Sequence, residues 1–165
     1  MISVVLTMIT QTATAAWSPP VQAEWRGDGS AINAHIVSNG KQIPMDGVTA
    51  LTVLLSSDDG SLRVSPFIAA TRGIAFEVID QSGKMVAPRE PIAISPPAPP
   101  IDRSKLTAAT VDRPLKVTIG ERASNLFPKP GKYRVRAIIR LLSVAVAPAT
   151  YKHLRTNYVV VEVAD

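Results

Sequence analysis

A strict alternation of apolar and charged side chains runs along residues 132–141, directly after a Pro-Lys-Pro-Gly turn. One face carries Tyr133, Val135, Ala137, Ile139 and Leu141. The other face carries Lys132, Arg134, Arg136 and Arg140. A period of two over ten residues predicts a half-buried β-strand with its apolar face toward the core and its basic face toward water.

Shorter apolar segments separated by turn residues predict the other strands. They lie at 32–36, 42–44, 48–55, 62–64, 74–79, 84–86, 115–119 and 157–163. In the 48–55 segment we expect Leu51, Val53 and Leu55 to face the core. Asn39-Gly40 favours a tight hairpin, and residues 143–155 are interpreted as a connection. Together these segments predict an all-β, antiparallel sandwich of about seven or eight strands.

The length of 165 residues and the composition indicate one domain with a substantial core. Six prolines fall between residues 88 and 100, and they predict a Pro-rich loop over 87–105 that crosses the sandwich. The chain has no cysteine, which excludes a disulfide framework, a thiol nucleophile and a cysteine-based zinc site.

The first 16 residues have the layout of a secretory signal. An apolar run from Ile2 to Ile9 precedes small residues that resemble a signal-peptidase site at Ala13–Ala16. No Lys or Arg precedes Arg26, which is consistent with a signal truncated at its start. We therefore expect a signal peptide at 1–16, a mature domain at 17–165, and a periplasmic or extracellular location. The alternative is that 4–9 forms a first strand.

Charge is distributed unevenly along the chain. Residues 1–100 carry six basic and eight acidic side chains, whereas residues 101–165 carry twelve basic and five acidic ones. The basic excess therefore belongs to the C-terminal part. Such an asymmetry permits an anionic partner without requiring one.

The order of these features resembles the immunoglobulin-like β-sandwich domains of bacterial exported proteins. The resemblance covers residues 30–163, and its most specific part is Pro130-Gly131-x-Tyr133-x-Val135. It implies an immunoglobulin-like fold, an exported setting and structural roles for Gly131 and Tyr133. The paired cysteines of antibody domains and the tryptophan between them are absent.

The strongest candidate binding site is the basic side of the 132–141 strand. Cations two positions apart on this strand are separated by about 7 Å, a spacing that suits phosphate or carboxylate groups of a glycan or lipid. The alternative is a solvated face whose charges pair with carboxylates such as Glu77 or Glu162. We expect no nucleic acid partner, because no aromatic stacking platform accompanies these charges in the sequence.

Other candidate residues have simpler explanations. Arg26-Gly27-Asp28 matches an integrin-recognition tripeptide, but chance and turn formation account for it. His35 and His153 lack the neighbouring ligands of a metal or catalytic site. The acidic residues Asp58, Asp59 and Asp80 fit turn chemistry better than calcium binding. Trp25 is expected to cap one end of the sandwich.

The sequence therefore predicts a protein that is not an enzyme and has no metal or cofactor. The first hypothesis is an exported, non-catalytic binding or structural module whose partner is another envelope protein or an envelope polymer. The second is a module that binds anionic polysaccharide or lipid through the basic strand. The third is a protease inhibitor that uses the 87–105 loop, or an accessory domain of an exported enzyme. No membrane span is expected in the mature chain.

Overall fold

A computed structural model of the chain describes residues 23–27, 31–40, 42–68, 73–87, 103–144 and 147–165. The strands are β1 (Ala23–Trp25), β2 (Ile32–Ser38), β3 (Gln42–Pro44), β4 (Val48–Ser57), β5 (Leu62–Val64), β6 (Ile74–Ile79), β7 (Thr107–Ala108), β8 (Leu115–Arg122), β9 (Gly131–Ser143), β10 (Thr150–Arg155) and β11 (Val159–Ala164). A 3-10 helix at Arg103–Lys105 and a one-turn α-helix, α1 (Ala123–Leu126), complete the described elements. The predicted signal peptide at 1–16 and most of the predicted 87–105 loop lie outside these residues.

The strands form a large sheet of eight strands and a small sheet of three. The small sheet has the order β2-β4-β8 and is antiparallel throughout. The main path of the large sheet is β3-β11-β9-β1-β5-β7, and β6 and β10 also pair with β9. The all-β class predicted from the alternating segments is therefore confirmed.

The 13-residue strand β9 organises the large sheet, because four other strands pair with it. Along one edge it pairs first with β11 and then with β10, both antiparallel. Along the opposite edge it pairs with β6 and then, near its end, with β1. The alternating segment recognised in the sequence is thus the central strand of the large sheet.

The sheets are not purely antiparallel, so that part of the prediction is wrong. β1 runs parallel to the end of β9, with Glu24 opposite Leu142. β3 runs parallel to β11, with Ile43 opposite Val163. Both are three-residue strands, β3 at one edge of the sheet and β1 between β9 and β5. Alternation alone predicts a strand without predicting its direction.

Local predictions failed in three further places. Asn39-Gly40 does not close a hairpin, because β2 belongs to the small sheet and β3 to the large one. Residues 84–86 return beside β6 through a bridge between Met85 and Ile79 and backbone hydrogen bonds, but they do not form a strand. The segment 143–155, interpreted as a connection, contains the six-residue strand β10.

One apolar cluster joins the two sheets. Leu51, Val53 and Leu55 of β4 are fully buried, as predicted. They belong to the same cluster as Phe76 and Val78 of β6 and the apolar side chains of β9. Trp25, in β1, is partly buried against this cluster. The inner face of the large sheet is therefore the side that meets the small sheet, and its outer face is the opposite side.

The turn before β9 is fixed by Tyr133. Its side chain is 3% exposed, and its hydroxyl donates a 2.7 Å hydrogen bond to the carbonyl oxygen of Lys129. Its ring lies 4.8 Å from that of Phe127. Gly131, between them, has a φ of +151°, a conformation that favours glycine. These contacts support the structural roles predicted for Gly131 and Tyr133.

Candidate functional site

The alternation along β9 has the predicted orientation. Tyr133, Val135, Ala137, Ile139 and Leu141 are buried in the main core, whereas Lys132, Arg134 and Arg140 are exposed and Arg136 is partly exposed. Two outward residues depart from the simple pattern, since Ile138 and Leu142 are buried outside the main core cluster. The cations of β9 therefore share one side of the sheet, interrupted by an apolar position.

Strand β10 adds three side chains to the same side. Its register places Tyr151 opposite Leu142, His153 opposite Arg140 and Arg155 opposite Ile138. Directly opposed residues of antiparallel strands project from the same face. All three are exposed. We call the outward surface formed by these three residues, the four cations of β9 and Tyr158 the basic face.

Tyr158 reaches the basic face because the chain breaks between β10 and β11. The backbone N–H of Thr156 donates to the carbonyl oxygen of Ala137, and the Thr156 hydroxyl accepts from the N–H of Ala137 at 2.9 Å. Asn157 then bonds the backbone of Ile36 through both its side-chain oxygen and nitrogen. This joint ties the two sheets together and leaves Tyr158 beside Arg134 and Arg136.

Arg136 is the centre of a paired network. Its guanidinium lies 2.7 Å from Oε1 of Glu77, a residue only 5% exposed, and 4.7 Å from the centre of the Tyr158 ring. The Tyr158 hydroxyl donates to the same carboxylate. Burial raises the pKa of Glu77, but hydrogen bonds from Arg136 and Tyr158 and the charges of Arg136 and Arg155 outweigh it, so the pKa is below 4.5. The burial of Tyr158 and its bond to this carboxylate raise the pKa of the phenol.

Lys132 is also paired, though at the surface. Its ammonium lies 3.6 Å from a carboxylate oxygen of Glu162, which stands opposite on β11. The two side chains are 57% and 44% exposed, so this pair contributes little to stability. The alternative interpretation, in which the cations of β9 pair with carboxylates such as Glu77 and Glu162, therefore describes Arg136 and Lys132 correctly.

Arg134 and Arg140 are different. Neither forms an ion pair with a carboxylate in the part of the chain that the structure describes. Each guanidinium instead lies over a tyrosine ring, Arg134 at 5.4 Å from Tyr158 and Arg140 at 4.1 Å from Tyr151. Stacking on a ring orients a guanidinium and leaves its N–H donors available for an anion.

Four members of the basic face were not predicted to lie beside the cations of β9, namely Tyr151, His153, Arg155 and Tyr158. The first three occupy every second position of the chain, and that spacing was the available signal for a strand over 150–155. No nucleic acid partner was expected because the sequence showed no aromatic residue beside the cations, but Tyr151 and Tyr158 do lie beside them. The ring of Tyr151 has one arginine over it and that of Tyr158 has two.

An open cleft of about 490 Å³ lies at the β11 end of the basic face. The turn at 80–83 forms one wall, and Lys132, Arg134 and Val160 line the other. Asp80 organises that turn, because one carboxylate oxygen accepts from the backbone of Ser82 and Lys84 and from the Ser82 hydroxyl. These bonds, the Ser82 hydroxyl foremost, hold the pKa of Asp80 below its usual value.

The remaining candidates do not assemble into a site. Arg26 pairs with Glu24, which is 1% exposed and also has Arg103 at 3.1 Å, while Asp28 lies outside the described residues. His35 and His153 lie on different sheets. Asp59 and Asp80 accept turn hydrogen bonds, as predicted. No group of three metal-ligating side chains, and no helix long and apolar enough to cross a membrane, occurs among the described residues.

The chain has no match in comparisons with known proteins. No family model, curated protein or solved structure is similar enough to be assigned. The resemblance to immunoglobulin-like domains therefore stays a prediction.

Proposed function

We propose that this protein is a non-catalytic, immunoglobulin-like module of the bacterial envelope that binds an anionic ligand on the basic face. The order of the small sheet, β2-β4-β8, matches strands A, B and E of such domains. The pairing of β6 and β11 with β9 matches strands C, F and G. The hydrogen bond from Tyr133 to Lys129 has the form of the tyrosine corner at the start of strand F.

The observation that carries the binding proposal is the contrast among cations on one strand. Lys132 and Arg136 have carboxylate partners, whereas Arg134 and Arg140 are stacked on tyrosines and have none in the described part of the chain. A charged group that serves only the fold is usually either paired or freely solvated. Two oriented, unpaired guanidinium groups on one face are instead suited to bidentate binding of carboxylate, sulfate or phosphate.

The neighbourhood reinforces this positive potential. Arg155 lies on the same face, where the carboxylates of Glu77 and Glu162 are already engaged, and Asp80 lines the cleft at the β11 end. An anion that approaches this surface meets a net positive field, because the described cations there outnumber the carboxylates. Such a field raises the association rate and makes binding sensitive to salt.

The test is titration of the purified protein with heparin at several salt concentrations, by calorimetry. We expect binding that weakens steeply as salt rises. The double variant R134S/R140S should abolish it, whereas R122S, which removes an exposed arginine of β8 in the small sheet, should not. Binding that survives the double change, or that R122S weakens equally, would overturn the assignment of the basic face.

Export is a separate part of the proposal and has its own test. The signal-like segment at 1–16 supports it. Mass spectrometry of the mature protein from the native host should find a first residue near Trp17. A protein that retains its initiator region in the cytosolic fraction would contradict export and leave the binding test unaffected. The protease-inhibitor alternative depends on the 87–105 loop and stays a prediction.

A further inference from the structure

We infer that the anionic ligand is a linear acidic polysaccharide that lies along β9, with one sugar unit in the cleft beside the 80–83 turn. This inference rests on the proposed function and names the class of its ligand. Three features support it. They are the distance between Arg134 and Arg140, the residues that line the cleft, and the arginines that already stack on the tyrosine rings.

The separation of Arg134 and Arg140 calls for an extended ligand. They are six residues apart on one strand, so their Cα atoms are about 20 Å apart. Arg155 stands opposite Ile138, between them along the strand and on the same face. One phosphate, carboxylate or lipid headgroup cannot reach both ends of this row. A linear polyanion can contact all three cations with separate acidic groups.

The cleft adds a site suited to a sugar ring. Arg134 lines it and also begins the row of unpaired cations, so the cleft and the row are continuous. Val160, on the opposite wall from the turn, is 64% exposed. The hydroxyl of Ser82 donates to Asp80 but keeps acceptor capacity for a ligand hydroxyl. Asp80 also lines the cleft, and its carboxylate can accept a hydrogen bond from a sugar hydroxyl. An apolar surface beside these acceptors and two cations complements the apolar face, hydroxyl groups and acidic substituent of a uronic acid or sulfated sugar.

The same surface is less suited to nucleic acid. Single-stranded nucleic acids bind most proteins by stacking bases on open aromatic rings above a basic groove. Here the two tyrosines of the basic face each have an arginine over the ring, at 4.1 Å for Tyr151 and at 4.7 and 5.4 Å for Tyr158. The rings therefore serve to orient guanidinium groups.

The experiment is a length series of heparin oligosaccharides, from disaccharide upward, titrated against the wild-type protein at constant salt. We expect affinity to rise with length and to level off once the chain reaches from the cleft to Arg140. Each lost charged contact should weaken binding of the long chains roughly tenfold to a hundredfold. R140S should therefore reduce affinity for long chains and leave the disaccharide unaffected, whereas V160E in the cleft should weaken both. R122S is the charge-matched control.

Each outcome separates this inference from the proposed function. If the disaccharide binds as tightly as the longest chain and only R134S weakens it, the face binds anions but the extended ligand is wrong. Tighter binding of a single-stranded oligonucleotide or of phosphatidylglycerol vesicles, at matched charge concentration and salt, would overturn the polysaccharide. If none of these anions binds, the proposed function fails as well.

Discussion

The two faces of β9 consist of residues from the same strand, yet different forces determine what each face does. On the inner face, Tyr133 and Val135 are buried in a core shared with the small sheet. On the outer face, Arg136 and Arg134 point to the same side, but Arg136 pairs with Glu77, whereas Arg134 has no ion-pair partner among the described residues. The role of an inner residue follows from its own hydrophobicity, whereas that of an outer residue depends on which strands lie beside it.

The largest expected effect is on the inner face. Tyr133→Ala removes a buried ring and should lower the free energy of unfolding by about 3 to 5 kcal/mol. Tyr133→Phe keeps the ring but loses the hydrogen bond to Lys129, and should cost only about 0.5 to 1.5 kcal/mol. Urea denaturation of both variants gives these values. Losses of equal size would mean that the hydroxyl, and not the packing of the ring, anchors the start of β9.

Arg136 should behave unlike its neighbours on the outer face. Arg136→Ala leaves the buried carboxylate of Glu77 without its cation. Removing one partner of a fully buried pair costs about 3 to 5 kcal/mol, and because the Arg136 side chain is 24% exposed, we expect about 2 to 3 kcal/mol. Lys132→Ala, which breaks the exposed pair with Glu162, should cost at most about 1 kcal/mol.

A double-mutant cycle separates the interaction energy of the Arg136–Glu77 pair from the separate contribution of each side chain. If Glu77→Gln restores part of the stability lost in Arg136→Ala, the cost came from the uncompensated carboxylate. Additive losses in the double variant would show that the two side chains act independently. The Arg136–Glu77 pair would then not stabilise the outer face.

The Glu77 carboxylate should also make the stability of the protein depend on pH. The pKa of Glu77 is lower in the folded protein than the ordinary value of 4.5. The carboxylate therefore contributes stability that is fully present above pH 4.5 and is lost as the pH falls through the lower, folded-state pKa. Glu77→Gln should flatten the decline of the unfolding midpoint in this acid range. Parallel declines for the variant and the wild type would contradict the role given to Arg136 and Tyr158.

Most of the strand pattern could be predicted from local alternation. Leu51, Val53 and Leu55, and the inner residues of β9, were assigned to the core from period alone, because burial on one face requires that period. The pairing partner of each strand and its direction could not be predicted in this way. The parallel pairing of Ile43 with Val163 joins residues 120 positions apart, and the sequence near Ile43 holds no signal for it.

The candidate site was predictable only in part for the same reason. The four cations of β9 were found because they lie on one strand. The partners that divide them into paired and unpaired groups come from other strands, Glu77 from β6, Tyr151 from β10, and Tyr158 from the joint before β11. Which arginine is structural and which is available is thus a property of the sheet.

The smallest effect on stability should accompany the largest effect on binding. Arg134→Ser and Arg140→Ser remove exposed side chains without an ion-pair partner in the described chain, so each should change the free energy of unfolding by no more than about 0.5 kcal/mol. Both should nevertheless weaken binding of an acidic polymer, whereas Lys132→Ser, whose charge Glu162 already offsets, should weaken it less. Denaturation and calorimetry on the same three preparations measure both quantities. A loss of stability in Arg134→Ser as large as in Arg136→Ala would mean that both arginines serve the fold, and the distinction between cations paired with a carboxylate and cations stacked on a tyrosine would be wrong.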